Sequence, residues 1–360
     1  MNFLESISMR PRCSKFDING DIKDVISRLA DDIQEFDNKT ILITGGTGFF
    51  GRWLLQILCT LIFEKKIKIN LYVLTRNPKN FLEDNSDYPF DKCIQFICGD
   101  VTNFQLPNVR LDYLIHMATT AASETFQGED QLKKIDLLYR GTKNTLELAV
   151  QASVKKVLFT SSGVAYGPSA GTPYSEDMLQ APLTTLTSSA LGEGKRLAEY
   201  LVNYYAEKGG YNYSIARCFS FFGPFLPLDI HYAIGNFVND ALTKEEITIK
   251  GGGQELRSYL YIADAWVWLL KSLIYADNEI YNVGSSKAIS IGDLALLVRD
   301  CLAPEKNIRI HENSRIEGNF SRDVYLPNNK KFKMRFNVEE WTSLEEGLLK
   351  MNPLKREDQH

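Results

Sequence analysis

The apolar residues of this chain follow two alternating periods. In "DIKDVISRLADDIQEF", Ile22, Val25, Ile26, Leu29, Ile33 and Phe36 recur at helical spacing, so residues 1–38 are expected to form a helical extension packed on the adjoining domain. From Lys39, short apolar runs ("TILITGG", "INLYVLTR", "IQFICGD", "LDYLIHMA", "KKVLFTSS") alternate with helical stretches from about Phe50 and around 130–151. Strands of this kind, continuously apolar and separated by helices, predict a parallel sheet covered on both faces. After Pro168 come loops rich in Pro and Thr, a helix over 186–208 and the strand "YSIARCFSFFG". From residue 225 the pattern is less regular, with short helices such as "IGNFVNDALT" and "IADAWVWLLKSLIY". The expected fold class is α/β, a doubly wound parallel sheet over 39–224 with a smaller C-terminal lobe over 225–360, part of which returns to the first domain.

Composition narrows the function classes. Of 360 residues, 44% are apolar and 24% charged, and the formal charge of −4 provides no basic field to recruit nucleic acid. No apolar run approaches the ~20 residues of a membrane span, and the chain is polar from Ser14, so neither membrane insertion nor export is expected and the protein is read as cytoplasmic. The six cysteines form no C-x-x-C pair, and four lie in apolar runs; reduced buried thiols are expected rather than a disulfide frame, and no metal site.

The chemistry begins at "TILITGGTGFFGRWLLQIL". Gly45, Gly48 and Gly51 stand at a strand-to-helix turn, where glycine permits a tight turn and close backbone approach while the helix amides stay free for a pyrophosphate. Further on, "TSSALGEGKRLAEY" puts Leu191 four residues before Lys195, on the same helical face.

In order along the chain, "TGGTGFFG", "GDV", "DYLIHMA", "TSSGVAYG", "GEGKRLAE", "ARCFSFFGP" and "RSYLYIADA" resemble the motifs of the extended short-chain dehydrogenase/reductases. Over about residues 39–340 the chain is most similar to their NAD-dependent epimerase/dehydratase branch, which acts on nucleotide-sugars in bacterial surface-polysaccharide pathways. The resemblance implies a Rossmann-type domain holding NAD or NADP. Its cofactor contacts would be Gly45, Thr47, Gly48, Phe49, Phe50 and Gly51 at the turn, Arg76, Asp100 and Val101 towards the adenosine, Met117 and Ala118 near the pyrophosphate, and Lys195 at the nicotinamide ribose. Thr75-Arg76 ends the second strand where an acidic residue would bind a ribose 2′-hydroxyl. Arginine there also suits a 2′-phosphate, while NAD fits the retained, recycled cofactor that the resemblance implies.

In this family a Ser or Thr, a Tyr and a Lys share the catalytic work. Ser162 matches the hydroxyl and Lys195 the lysine, but Leu191 stands where the tyrosine belongs. Glu193, Tyr166, His116 and Glu124 are titratable groups in or beside the motifs that could substitute. Loss of a general acid–base costs about 10²–10⁴-fold in rate. Gly163-Val164 follows Ser162, whereas the family's dehydratases carry Asp-Glu and its decarboxylases an acidic residue. Epimerisation or keto-reduction therefore survives exclusion best; the alternatives are a decarboxylase, suggested by "EGKR", or a nucleotide-sugar and NAD binder impaired by Leu191. For the nucleotide-diphosphate sugar the resemblance implies Ser162, Ser220, Asn236, Arg257 and Arg322, with Arg257 gripping a phosphate. The helices near 130–151 and 186–208 resemble those of a dimeric four-helix interface, implying a homodimer.

Overall fold

The computed structural model describes residue 16 and residues 18–119, 130–168, 171–228, 232–311 and 324–352. Helix α1 (Asn19–Leu29) precedes strand β1 (Lys39–Thr44), helix α2 (Phe49–Phe63), strand β2 (Ile69–Thr75), the short helix α3 (Pro78–Glu83) and strands β3 (Ile94–Cys98) and β4 (Tyr113–His116). Then come α4 (Gln131–Gln151), β5 (Lys156–Ser162), α5 (Ala190–Gly209) and β6 (Asn212–Cys218). The remainder comprises β7 (Phe221–Phe222), α6 (Ala233–Thr243), β8 (Glu246–Lys250), β9 (Leu256–Arg257), β10 (Leu260–Tyr261), α7 (Ile262–Ile274), β11 (Glu279–Val283), β12 (Ile289–Ser290), α8 (Ile291–Leu302), β13 (Asn307–His311), β14 (Val324–Tyr325), α9 (Lys330–Phe336) and α10 (Leu344–Lys350).

Seven strands form one parallel sheet in the order β3-β2-β1-β4-β5-β6-β11, as the alternating pattern predicts. Strand alternation sends Ile41 and Ile43 to one face, where α1, α2 and α7 cover them, and Leu42 to the other, against α4 and α5. Connections run outward on either side of β1, so a crevice opens between β1 and β4 at their carboxyl ends, where Thr44 is in register with His116. Short strand pairs, β8 with β13 and β9 with β12 and β14, build the smaller lobe.

Two expectations are corrected. The N-terminal helix is not continuous: α1 stops at Leu29, Ala30 takes a positive φ of 46°, and a 3-10 segment continues to Phe36. That change of direction seats Phe36 edge-on to Tyr113 and brings Asp32 to Lys271 and Tyr275. Second, Cys59 and Cys93 form a disulfide instead of remaining reduced. Sequence spacing carried no hint of it, because the pairing depends on α2 lying against the turn that enters β3, with the two Cα atoms 6.0 Å apart. Cys98 is exposed despite its apolar surroundings, since β3 is an edge strand. Among the described residues no helix is long and apolar enough to cross a membrane.

Candidate active site at the carboxyl ends of the sheet

The three glycines at the β1–α2 turn meet different surroundings. Gly45 has φ +73°, and a Cβ there would lie 2.7 Å from the Met117 carbonyl carbon. At Gly51 a Cβ would fall 2.2–2.4 Å from backbone atoms of Gly46, so glycine is what allows α2 to start so close to β1. Gly48 is exposed, and a Cβ there would meet nothing nearer than 3.7 Å. Gly48 also caps α2 with extended backbone and no side-chain hydrogen bond, leaving the helix dipole and its first amides uncapped by any side chain. This open, electropositive cradle fits a pyrophosphate. Phe50 turns its ring inward onto Phe221 and Trp266, so only its backbone faces the turn; Phe49 meets it edge-on.

Thr47 and Thr75 hydroxyls stand 3.5 Å apart across the turn, with Arg76 exposed at the end of β2. Asp100 accepts hydrogen bonds from the Thr102 hydroxyl and amide, at 2.6 and 2.9 Å. These bonds hold its carboxyl below the usual carboxylate range, aided by the charges of Arg76 and Arg140. Val101 packs on Gly141 of α4, where a Cβ would come within 2.8 Å of it. Met117 and Ala118 continue β4 alongside Gly45, their amides directed at the Thr44 carbonyl (3.0 Å) and hydroxyl (3.4 Å).

β5 lies two strands from β1, about 10 Å away at ordinary strand spacing. Its end carries Ser162, half-buried, whose Oγ accepts from the Val164 amide at 3.3 Å. Lys195 on α5 donates to the Thr160 carbonyl at 2.7 Å and sits 5.0 Å over the Phe159 ring. Burial pushes its ammonium down to about 8, with Cys218 and Glu199 opposing. Leu191 and Glu193 occupy the first turn of α5, both half-buried. Gly192 lets that turn close on the serine loop, since a Cβ there would be 2.7 Å from the Val164 carbonyl oxygen.

Two proposed stand-ins for the missing phenol have other occupations. His116 is fully buried; Nδ1 bonds the Thr44 hydroxyl at 2.6 Å and Nε2 the Thr142 hydroxyl at 3.1 Å. Burial, reinforced by the charge of Lys195, pushes it down to about 3, so it is a neutral brace between strand and helix. Tyr166 is also buried, donating to Asn282 Oδ1 at 2.8 Å, and burial pushes its phenol up to about 12 against the pull of Arg217. Glu124 and Arg322 lie outside the described residues.

Sequence reasoning missed the support beneath this centre. Glu199 accepts from Ser161 Oγ at 2.5 Å and pairs with Arg217 through two bonds of 3.0 and 2.7 Å, all buried. Arg217 in turn stacks 4.4 Å over Tyr166. Glu199 is four residues after Lys195, so helical spacing alone was a usable signal.

In the C-terminal part, Ser220 is half-buried beside β7, Asn236 is half-buried on α6, and Arg257 on β9 donates to the Leu256 carbonyl at 2.8 Å and is in register with Tyr325 of β14. Tyr325 and Phe219 crowd Gly163: a Cβ there would be 2.6 Å from the Tyr325 hydroxyl and 2.8 Å from Phe219 Cζ. Two surface grooves, one between α1 and the end of α2 and one between β12 and α10, contain none of these residues.

The model of the NAD dependent epimerase/dehydratase family matches residues 41–284. The chain belongs to this family. It is 29% identical over 321 residues to UDP-glucuronic acid decarboxylase 6 of Arabidopsis thaliana, covering 89% of each chain. Its fold superposes on UDP-glucose 4-epimerase of Thermotoga maritima with TM-score 0.72 at 23% identity, covering 87% of this chain and 97% of that one. An epimerase of Methanothermobacter thermautotrophicus gives 0.75 at 22%, covering 91% and 94%. At the crevice this chain has the open glycine turn, half-buried Ser162 and buried Lys195, with Leu191 four residues before the lysine.

Proposed function

We propose that the protein is an NAD-dependent enzyme that changes a nucleoside-diphosphate sugar by oxidation and reduction at a ring carbon, as in epimerisation or keto-reduction. The observation that carries this reading is the common placement of the open glycine cradle, Ser162 and buried Lys195 at the carboxyl ends of one parallel sheet. The backbone at Gly45, Thr47, Gly48, Phe49 and Gly51 would hold the cofactor pyrophosphate, Arg76, Asp100 and Val101 its adenosine, and Lys195 its nicotinamide ribose. When bound, the nicotinamide accepts and returns hydride. In this reading Ser162 orients the sugar hydroxyl, Arg257 offers a planar donor fork to the diphosphate, and Ser220 and Asn236 would be further substrate contacts.

UDP is the nucleotide favoured, since the relatives are named for UDP-glucose and UDP-glucuronic acid. Gly163 argues against elimination and against the decarboxylation for which the plant relative is named, because no carboxylate follows Ser162 and the space is occupied by Tyr325 and Phe219. The biological setting the motif resemblance points to is bacterial surface-polysaccharide synthesis. A homodimer is supported by the apolar side chains exposed along α4 and α5: Leu132, Tyr139, Leu197, Tyr200 and Tyr204.

Incubation with NAD and a panel of UDP-, GDP-, CDP- and dTDP-sugars, with products read by NMR, tests the reading. One sugar should change with all its carbons retained. Release of carbon dioxide from UDP-glucuronic acid would favour the decarboxylase. Leu191 favours a second reading, a protein that binds both ligands without turnover; binding with no changed sugar would select it.

A further inference from the structure

We propose that Lys134 is a specificity-determining residue of this site, its buried ammonium pairing with a carboxylate on the sugar, so that the substrate class is a nucleoside-diphosphate uronic acid. The proposal rests on the nucleotide-sugar reading above and adds to it the charge of the sugar.

Lys134 breaks the pattern of its helix. The buried stripe of α4 runs through Lys134, Leu138, Gly141, Thr142, Thr145 and Leu146, uncharged except at its first member. Lysine is almost never fully buried unless paired, yet Lys134 is 2% exposed. Among the described residues its ammonium has one hydrogen-bond partner, the neutral Gln131 Oε1 at 3.4 Å, and no carboxylate pairs with it. Both carboxylates of α4 are taken, Asp136 by Arg140 and Glu147 by Lys143, and the N-cap Asp130 accepts from the Leu132 amide at 3.0 Å. A buried cation without a counter-charge is unfavourable, and an anion that completes the pair relieves it.

The position of Lys134 says which anion. Thr142 bonds His116, the last residue of β4, at 3.1 Å. Lys134 lies eight residues nearer the start of α4 on the same stripe, about 12 Å beyond that level at 1.5 Å per residue. On β5, Phe159 is in register with His116, and Ser162, three residues on, stands about 10 Å beyond it at 3.3 Å per residue. Lys134 and Ser162 therefore reach similar heights above the carboxyl end of β4. Sideways, Leu138, one turn below Lys134, packs on Gly194, where a Cβ would lie 2.5 Å from Leu138 Cδ1. That contact sets Lys134 level with the first turn of α5, which carries Leu191. The sugar is the part of the substrate assigned to this end of the crevice; the diphosphate is assigned to Arg257 and the cofactor pyrophosphate to the glycine turn. A carboxylate on the sugar is thus the anion that the ammonium meets.

Calorimetry on the NAD-loaded protein tests this with UDP, UDP-glucose, UDP-glucuronic acid and UDP-galacturonic acid as probes. Wild type should bind one of the two uronic acids at least about 10-fold more tightly than UDP-glucose, the value of a charge-assisted hydrogen bond. Lys134→Met keeps an unbranched side chain of similar length without the charge, and should melt no lower than wild type. It should lose that preference while binding UDP and UDP-glucose as wild type does; Lys134→Gln, which keeps a polar head, should behave alike. Wild type binding UDP-glucose as tightly as either uronic acid overturns the proposal, as do variants that keep the preference. A loss for UDP as large as that for the uronic acid also overturns it, by placing the ammonium at the diphosphate. In each of these cases UDP-sugar binding stands and only this assignment fails. If wild type binds neither UDP nor any UDP-sugar, the nucleotide-sugar reading fails and the assignment with it.

Discussion

Replacing Gly48 and Gly51 by alanine, one at a time, separates the two jobs of the glycine turn. At Gly51 the added methyl would sit 2.2–2.4 Å from the O, C and Cα of Gly46, against about 3.5–4.0 Å for comfortable contact. Those atoms are backbone and cannot rotate away, so the start of α2 must retreat by roughly 1 Å. Overpacking of this kind costs about 1–3 kcal/mol. At about 2–4 °C per kcal/mol, the melting temperature should fall by about 2–12 °C. At Gly48 the backbone is extended (φ −84°, ψ −174°), a conformation open to any residue, and the methyl meets nothing within 3.7 Å. Loss of a glycine N-cap accounts for about 1 kcal/mol at most, so melting should shift by no more than about 4 °C. The same methyl would project into the cradle, and NAD affinity should drop about 10–100-fold, or about 1.4–2.8 kcal/mol. Scanning fluorimetry and calorimetry with NAD on cofactor-stripped protein read both effects. The reasoning is refuted if Gly48→Ala binds NAD within twofold of wild type, or if Gly51→Ala melts as wild type does.

Leu191→Tyr restores a phenol on the face of Lys195 and should raise turnover of the accepted UDP-sugar by about 10²–10⁴-fold if the scaffold still needs that acid–base; no gain in the NMR assay would mean the proton is handled elsewhere. Glu199→Gln leaves Arg217 buried without its bidentate partner and should cost about 3–5 kcal/mol in urea unfolding, so a loss below about 1 kcal/mol would contradict its role as a brace. Burial holds His116 near 3, below its unfolded value of about 6.5, so the unfolded chain takes up the proton first as pH falls. The stability from this group is complete above about pH 6.5 and is lost towards pH 3, with a slope of up to about 1.4 kcal/mol per pH unit. His116→Gln should flatten that acid limb in unfolding curves taken at pH 7, 5 and 4; an unchanged slope would rule the histidine out as its source.

Legibility of the sequence tracks the range of the interactions. The parallel sheet could be read because its strands are apolar on both faces, and the glycine turn because strand, glycines and helix are contiguous. Ser162, Lys195 and Leu191 are candidates that local motifs suggest, and Glu199 lay within reach of the same helical spacing. Contacts between distant segments were not readable. Tyr325 meets Gly163 only after β14 pairs with β9, and Cys59 meets Cys93 only after α2 settles beside the entry to β3. Residue type also misled: His116 and Tyr166 look like proton carriers in sequence, but complete burial and fixed partners make them braces.

The most direct test of the account is a crystal structure of the protein with NAD and UDP. The account predicts the pyrophosphate on the amides at the start of α2, over Gly48, and the nicotinamide ribose at Lys195 with Ser162 beside the ring. A crevice left empty at saturating NAD, or one closed by side chains, would contradict it.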